Sequence, residues 1–126
     1  MKIKSVSSLT CFVKNLDATR AFYEVLGFDF KKIESTHITG YINWFSIEFI
    51  AIDSMQSEEF KEEAEATPKG SGIYIKLSFD DVDAVHRECI EHGLKPSSEP
   101  RDWPWKSREF AIRDPDGYKL VFFKKR

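Results

Sequence analysis

Apolar and polar residues largely alternate along residues 5–13, where Leu9, Cys11 and Val13 are apolar and Ser8 and Thr10 are polar. This period of two predicts a half-buried β-strand. Asn15 then offers a helix N-cap, and Gly27 ends the predicted helix. Four apolar residues fit one face of that helix: Ala18, Phe22, Val25 and Leu26.

Three more strands are predicted in the first half of the chain. Residues 28–34 and 41–53 are rich in aromatic and β-branched side chains, the composition that is typical of strands. Gly40 is interpreted as a break between strands. The turn between the last two strands is predicted near Ile47.

The same order of elements restarts after a polar segment. Residues 54–71 are acidic and contain Pro and Gly, which predicts a linker with one or two helical turns around residues 58–65. Residues 73–79 then alternate as a strand, Asp81 offers a helix N-cap, and Gly93 ends the helix. The predicted inward face of this helix consists of Val82, Val85, Cys89 and Ile90.

The two halves share one spacing. In each half the glycine lies twelve positions after the helix N-cap: Gly27 after Asn15, and Gly93 after Asp81. The two halves therefore superpose at an offset of 66 residues, from 15 to 81. We therefore predict an α+β fold of two β-α-β-β-β modules. We expect a single domain over residues 1–126: module 1 at about 1–53, the linker at about 54–71 and module 2 at about 72–126.

Composition narrows the classes of partner. The formal charge of −2 and the pI near 5.9 give no general attraction to nucleic acid or anionic membranes. No segment has the pattern of a signal peptide or a membrane span. Cys11 and Cys89 lack metal or redox spacing and suit a reducing compartment. We expect a cytoplasmic protein whose 14% of aromatic residues includes some that line a cavity for a small molecule.

With these elements in place, the chain resembles the vicinal oxygen chelate superfamily, which includes glyoxalase I, extradiol dioxygenases, fosfomycin-resistance enzymes and bleomycin-resistance proteins. The resemblance rests on NLDATRAFYEVLGF in the first module and on DDVDAV, HGL and REFAIRDPDGYKLVFF in the second. The last segment reads as two strands joined by a tight turn. The resemblance implies two curved sheets that form an open trough, with helices on the convex faces and the ligand or metal on the concave side.

Metal-dependent members of the superfamily take one ligand from each of four strands, usually His, Gln or Glu. The matching positions here are Ser8, Tyr74 and Val121, with Ala51 as a loose fourth match and Glu48 nearby. A hydroxyl, a phenol and a valine are not ordinary ligands of a divalent cation. We therefore expect no metal and no cofactor. The three histidines are interpreted as loop or surface residues: His37, His86 and His92.

The metal-free bleomycin-resistance proteins give the closer resemblance. They share the FYEVLGF type of first helix, and their pocket Trp stands nine residues before the turn, as Trp105 stands before Asp114. Lys76 and Arg108 together would suit a carboxylate or phosphate on an aromatic scaffold. Lys76 would disfavour a cationic ligand of the bleomycin type. The predicted ligand-binding residues are Phe12, Tyr74, Lys76, Trp103, Trp105, Arg108, Glu109, Val121 and Phe123.

The predicted function is the binding or sequestration of a small, partly aromatic molecule in a metal-free trough. The resemblance also implies a homodimer. The alternative is an enzyme of the lyase, isomerase or dioxygenase type, with an unusual metal site or with acid–base chemistry by Tyr74, Glu109 or Glu48.

Trp103 and Trp105 also have a structural interpretation, in which they cap the core or pack at a subunit interface. Arg108 likewise has a structural interpretation, in which it forms an ion pair on the surface with Asp102 or Glu109.

Overall fold

The computed structural model describes all 126 residues and contains eight strands and three α-helices. The chain divides into two units, residues 1–66 and 67–126. Unit 1 contains β1 (Leu9–Val13), α1 (Leu16–Val25), β2 (Asp29–Ile33), β3 (His37–Ile42), β4 (Phe45–Ala51), a 3-10 turn (Ile52–Ser54) and α2 (Glu58–Glu65); unit 2 contains β5 (Ile75–Ser78), α3 (Val82–Glu91), β6 (Arg101–Trp103), β7 (Ser107–Arg113) and β8 (Lys119–Lys125).

Both units have the same sheet topology. The strand order is β1-β4-β3-β2 in unit 1 and β5-β8-β7-β6 in unit 2. The first strand of each sheet pairs in parallel with the last, and the remaining pairs are antiparallel. The predicted α+β fold of two β-α-β-β-β modules is therefore confirmed, and α2 lies where helical turns were predicted. None of the helices is long and apolar enough to cross a lipid bilayer.

Local signals set the ends of α1 and α3 as predicted. The side chains of Asn15 and Asp81 each accept a hydrogen bond of 3.0 Å from the amide three residues later. Gly27 and Gly93 follow the helices with φ of +97° and +79°, a conformation that favours glycine. The twelve-residue spacing thus reflects two equivalent capped helices.

The buried helix faces are offset from the predicted ones. Val25 and Ile90 are 42% and 55% exposed, whereas both were predicted to face inward. In α1 the Tyr23 ring takes the inward position instead, and its centre lies 4.7 Å from that of Phe49 and 5.1 Å from that of Phe28. An aromatic ring buries more apolar area than a valine, so packing favours this orientation. The residues buried on the two helices are Thr19, Phe22, Tyr23, Val82, His86 and Cys89.

His86 is not the surface residue that was predicted. It is 8% exposed, and its ring meets the edge of Phe110 on β7 at a centroid distance of 5.0 Å. Its Nε2 lies 3.7 Å from a carboxylate oxygen of Glu99. The prediction failed because it placed His86 on the solvent side of the helix, whereas the ring packs against β7 as an aromatic side chain. His37 was placed in a loop and is instead the first residue of β3.

Three predicted boundaries in unit 1 are wrong. The first strand begins at Leu9 rather than at residue 5. Gly40 lies inside β3, where a Cβ atom would stand 2.9 Å from Cζ of Phe30, so this glycine makes room for a ring instead of ending a strand. The turn falls at residues 43–44, where Asn43 has φ of +51°, and Ile47 is fully buried in β4.

Candidate ligand-binding site

Strand alternation gives the sheet of unit 2 two different faces. Leu120 and Phe122 on β8 are fully buried, and Phe122 packs with Phe110, the ring that contacts α3. Because neighbouring side chains of a strand point to opposite faces, Val121 and Glu109 lie on the face away from α3. That second face is where the candidate site lies.

A cavity of about 570 Å³ lies over this second face. Its volume falls within the range that small-molecule sites occupy in proteins. All its lining residues belong to unit 2. Of the predicted ligand-binding residues, those in the lining are Tyr74, Lys76, Trp103, Trp105, Glu109 and Val121.

Two tryptophans form one wall of the cavity. The rings of Trp103 and Trp105 are stacked, with centroids 4.7 Å apart and planes at 13°. Nε1 of Trp105 donates a hydrogen bond of 3.1 Å to Oε2 of Glu109, and the guanidinium of Arg101 lies 3.6 Å from the Trp103 ring centre. Trp105 nevertheless stays 58% exposed. Its ring is therefore held in place without being part of the packed core.

Glu109 also positions a cation on the cavity floor. Glu109 is 9% exposed, and its Oε2 lies 3.8 Å from Nζ of Lys76. The same ammonium lies 4.5 Å from the ring centre of Phe123. Phe123 is not one of the residues that line the cavity, but its ring contacts Lys76. One carboxylate oxygen therefore serves both Lys76 and Trp105.

Arg108 is not brought to the cavity. Glu109 faces the cavity, and neighbouring side chains of a strand point to opposite faces. The side chain of Arg108 therefore points to the other face of β7, toward α3. There it makes two hydrogen bonds of 2.8 Å to Asp83 at the start of α3 and one of 3.1 Å to Asp102. Hydrogen bonds from Arg108 lower the pKa of Asp83 below its ordinary value, and the same bonds raise the pKa of Arg108. The pairing with Asp102 is the structural alternative weighed for this residue.

Three cations of the cavity were missed at the sequence level: Arg101, Arg113 and Lys119. Nη1 of Arg113 donates a hydrogen bond of 2.8 Å to the carbonyl of Gly117, and Nζ of Lys119 lies 4.3 Å from the ring centre of Tyr74. Counting in steps of two from Glu109 and Val121 reaches Arg113 and Lys119. The strand alternation that places Glu109 and Val121 on the cavity face could therefore have placed Arg113 and Lys119 there as well.

Phe12 belongs to unit 1 and lies outside this cavity. It is half-buried on β1, where its register partner is Ile50 on β4. The cavity lining thus brings together most, but not all, of the predicted residues.

The register of the sheets corrects one family position. Lys76 pairs with Val121 in unit 2, and Thr10 pairs with Glu48 in unit 1. Residues 10 and 76 are equivalent in the repeat, so Glu48 is the counterpart of Val121, and the match to Ala51 was wrong. Oγ1 of Thr10 donates a hydrogen bond of 3.5 Å to Glu48.

The donor set at the family's metal positions does not fit a divalent cation. It consists of the hydroxyl of Ser8, the phenol of Tyr74, the apolar Val121 and a single carboxylate, Glu48. Metal sites of this kind need several imidazole or carboxylate ligands. No group of three or more His, Cys, Asp or Glu side chains is close enough to hold an ion.

Comparison with known proteins identifies the fold. Residues 5–122 match the family described as Glyoxalase/Bleomycin resistance protein/Dioxygenase superfamily. No curated protein matches the chain in sequence.

Solved structures of the same fold cover nearly the whole chain. A glyoxalase/bleomycin resistance protein/dioxygenase family enzyme from Burkholderia phytofirmans PsJN has a TM-score of 0.82 at 17% identity, covering 95% of this chain and 98% of the other. A glyoxalase/bleomycin resistance protein/dioxygenase from Nocardioides has a TM-score of 0.80 at 16% identity, covering 99% and 85%. A bleomycin-binding protein complexed with bleomycin has a TM-score of 0.69 at 22% identity, covering 98% and 100%.

Proposed function

We propose that this chain, which belongs to the Glyoxalase/Bleomycin resistance protein/Dioxygenase superfamily, binds a planar, partly aromatic small molecule in the cavity of unit 2. The observation that carries the proposal is the stacked pair of Trp103 and Trp105. Trp105 keeps more than half of its surface exposed beside a cavity of about 570 Å³, and its orientation is fixed by Glu109. A fixed, exposed indole offers a flat ligand a face on which to stack.

Binding without metal chemistry is favoured by the side chains at the family's metal positions. Val121 stands where metal-dependent relatives usually have His, Gln or Glu, and neither Ser8 nor Tyr74 supplies such a ligand at its own position. The remaining carboxylate, Glu48, already accepts a hydrogen bond from Thr10. A bleomycin-binding protein among the similar structures is a precedent for ligand binding on this fold.

Tryptophan fluorescence tests the proposal directly. Trp44 is fully exposed and lies outside the cavity, so a Trp44→Phe variant leaves only the two cavity tryptophans as reporters. Titration with 2-naphthol and with 2-naphthoate should change this fluorescence and reach saturation at one ligand per chain. If neither probe gives a saturable change, and calorimetry also detects no heat of binding, the proposal is refuted.

Elemental analysis separates a binder from the metalloenzyme alternative. Protein purified without chelators should contain well under one equivalent of zinc, nickel, iron or manganese. A stoichiometric metal that disappears in a Glu48→Gln variant would favour the enzyme. The matched control is Glu34→Gln, because Glu34 is an exposed carboxylate of the same unit.

A further inference from the structure

We infer that Arg113 and Lys119 form an anion-binding subsite, so that the ligand is an elongated aromatic anion. Its ring would lie at Trp103 and Trp105, and its carboxylate or phosphate at the other end of the cavity. This inference rests on the proposed function, since it specifies the ligand class of the same cavity.

The first support is an unfavourable pair of like charges. Arg113 and Lys119 are direct register partners across β7 and β8, and both line the cavity. Like charges directly opposite one another in an antiparallel pair are destabilising. A bound anion would lie between two cations that repel each other, and it would remove that repulsion.

The second support is the balance of charge in the cavity. Its lining contains four cationic side chains and one carboxylate, although the whole chain carries a formal charge of −2. Glu109 is committed to Lys76. Arg101, Arg113 and Lys119 form no ion pair in the structure. The cavity therefore attracts anions and repels cations in a protein that is acidic overall.

The third support is preorganisation of both cations. The hydrogen bond to the Gly117 carbonyl restrains Arg113 at the β7–β8 turn. The contact with the Tyr74 ring restrains Lys119. Because these side chains are already restrained, binding an anion costs less side-chain entropy than it would with freely rotating cations.

The distance between the two ends defines the ligand's shape. Glu109, which is bonded to Trp105, and Arg113 are four residues apart on β7, which corresponds to roughly 13 Å along a strand. Between them the floor includes Ala111 and Val121, which offer no charge. A small aromatic acid with its carboxylate directly on the ring would reach one end only. The cavity fits a ring joined to an anionic group by a short apolar linker.

A matched probe series tests this inference. The probes are 4-(2-naphthyl)butyrate, the corresponding butyl phosphate, the neutral butyramide and the butylamine. At low ionic strength the wild-type protein should bind at least one of the two anions tenfold or more tightly than the amide, and the amine most weakly. The tighter of the two anions identifies whether a carboxylate or a phosphate is preferred. Raising the salt concentration should reduce the preference for the anion.

Two variants assign the effect to the subsite. The double variant Arg113→Gln/Lys119→Gln should lose tenfold or more in affinity for the preferred anion and keep its affinity for the amide. The control Lys124→Gln removes an exposed cation from the opposite face of β8 and should change neither affinity. Without ligand, the double variant should melt close to the wild-type temperature, because removal of the like-charge repulsion offsets loss of the Gly117 hydrogen bond and the Tyr74 contact.

The outcomes distinguish the inference from the proposed function. If the amide binds as tightly as both anions, or if Lys124→Gln weakens the anions as much as the double variant does, the anion subsite is refuted and the aromatic site survives. If no probe of the series binds while 2-naphthol still does, the inference fails and the proposed function survives; if 2-naphthol and 2-naphthoate also fail to bind, both are refuted. A double variant that melts well below the wild type would show that the two cations stabilise the fold instead, which would also refute the inference.

Discussion

Replacing Trp105 by Ala should weaken ligand binding and should cost less stability than the loss of a fully packed aromatic ring. Trp105 stacks on Trp103 and donates its indole hydrogen bond to Glu109, but it remains 58% exposed. If Trp105 is a wall of the pocket, its replacement should reduce ligand affinity; if it caps the core, its replacement should reduce the free energy of unfolding. The buried fraction of the side chain sets the size of the loss of unfolding free energy.

The expected cost in stability follows from the buried area. A tryptophan has up to roughly 250 Å² to bury, and about 40% of Trp105 is covered, which is on the order of 100 Å². At about 25 cal/mol per Å² this corresponds to roughly 2.5 kcal/mol, and a compact unfolded state lowers the figure to about 2 kcal/mol. A fully packed aromatic ring replaced by Ala costs about 3–5 kcal/mol.

Urea unfolding and fluorescence titration on the same samples check the prediction. Phe122→Ala is the packed control, since Phe122 is fully buried between Phe79 and Phe110. It should lose about 3–5 kcal/mol of unfolding free energy. Trp44→Ala is the exposed control and should change neither quantity. Trp105→Ala should lose at least roughly two- to tenfold in affinity for 2-naphthoate, since a stacked ring contributes about 0.5–1.5 kcal/mol beyond the area it buries. The reasoning is refuted if Trp105→Ala destabilises as much as Phe122→Ala while affinity per folded molecule stays unchanged.

Arg108→Met should leave affinity for 2-naphthoate unchanged but lower the thermal midpoint at neutral pH. Because Arg108 lowers the pKa of Asp83 below 3.8, the stabilisation is complete above that pH and is lost as the pH falls through the lowered pKa. Melts of both proteins should therefore converge in acid, and a constant difference down to pH 2 would contradict this. Gly40→Ala should cost about 1–3 kcal/mol in urea unfolding, because the new methyl group overlaps the buried Phe30 ring; a gain in stability would show that the ring moves freely. The chain is still predicted to form a homodimer, so light scattering should give twice 14.7 kDa, and a concentration-independent monomer mass would disprove it.

Features that depend on a few neighbouring residues were predicted from the sequence. Asn15 and Asp81 cap their helices through side-chain bonds that span three residues. The β7–β8 turn forms because the Asp114 carboxylate accepts hydrogen bonds from the amides of Asp116 and Tyr118, and Gly117 takes φ of +100°. Such contacts are encoded within five residues, so a short motif determines them.

Features that depend on distant packing were missed. Gly40 resembles a strand break until Phe30 is known to lie against it. His86 resembles a surface residue until its ring is known to pack against Phe110. Arg108 resembles an anion ligand until strand alternation turns it toward Asp83. In each case the deciding partner lies ten or more residues away along the chain, so no short motif identifies it.

The absence of a carboxylate at position 121 has a consequence for the ligand as well as for metal binding. Val121 is the register partner of Lys76 and lies two residues from Lys119 on the same face of β8. A carboxylate there would compete with an incoming anion for the lysines on either side. Valine instead leaves an apolar floor between the stacked tryptophans and the Arg113–Lys119 pair, and it leaves those cations without an internal counter-ion. Under the proposal made here, valine at this one position both disfavours metal coordination and leaves uncompensated the cations that would bind an aromatic anion.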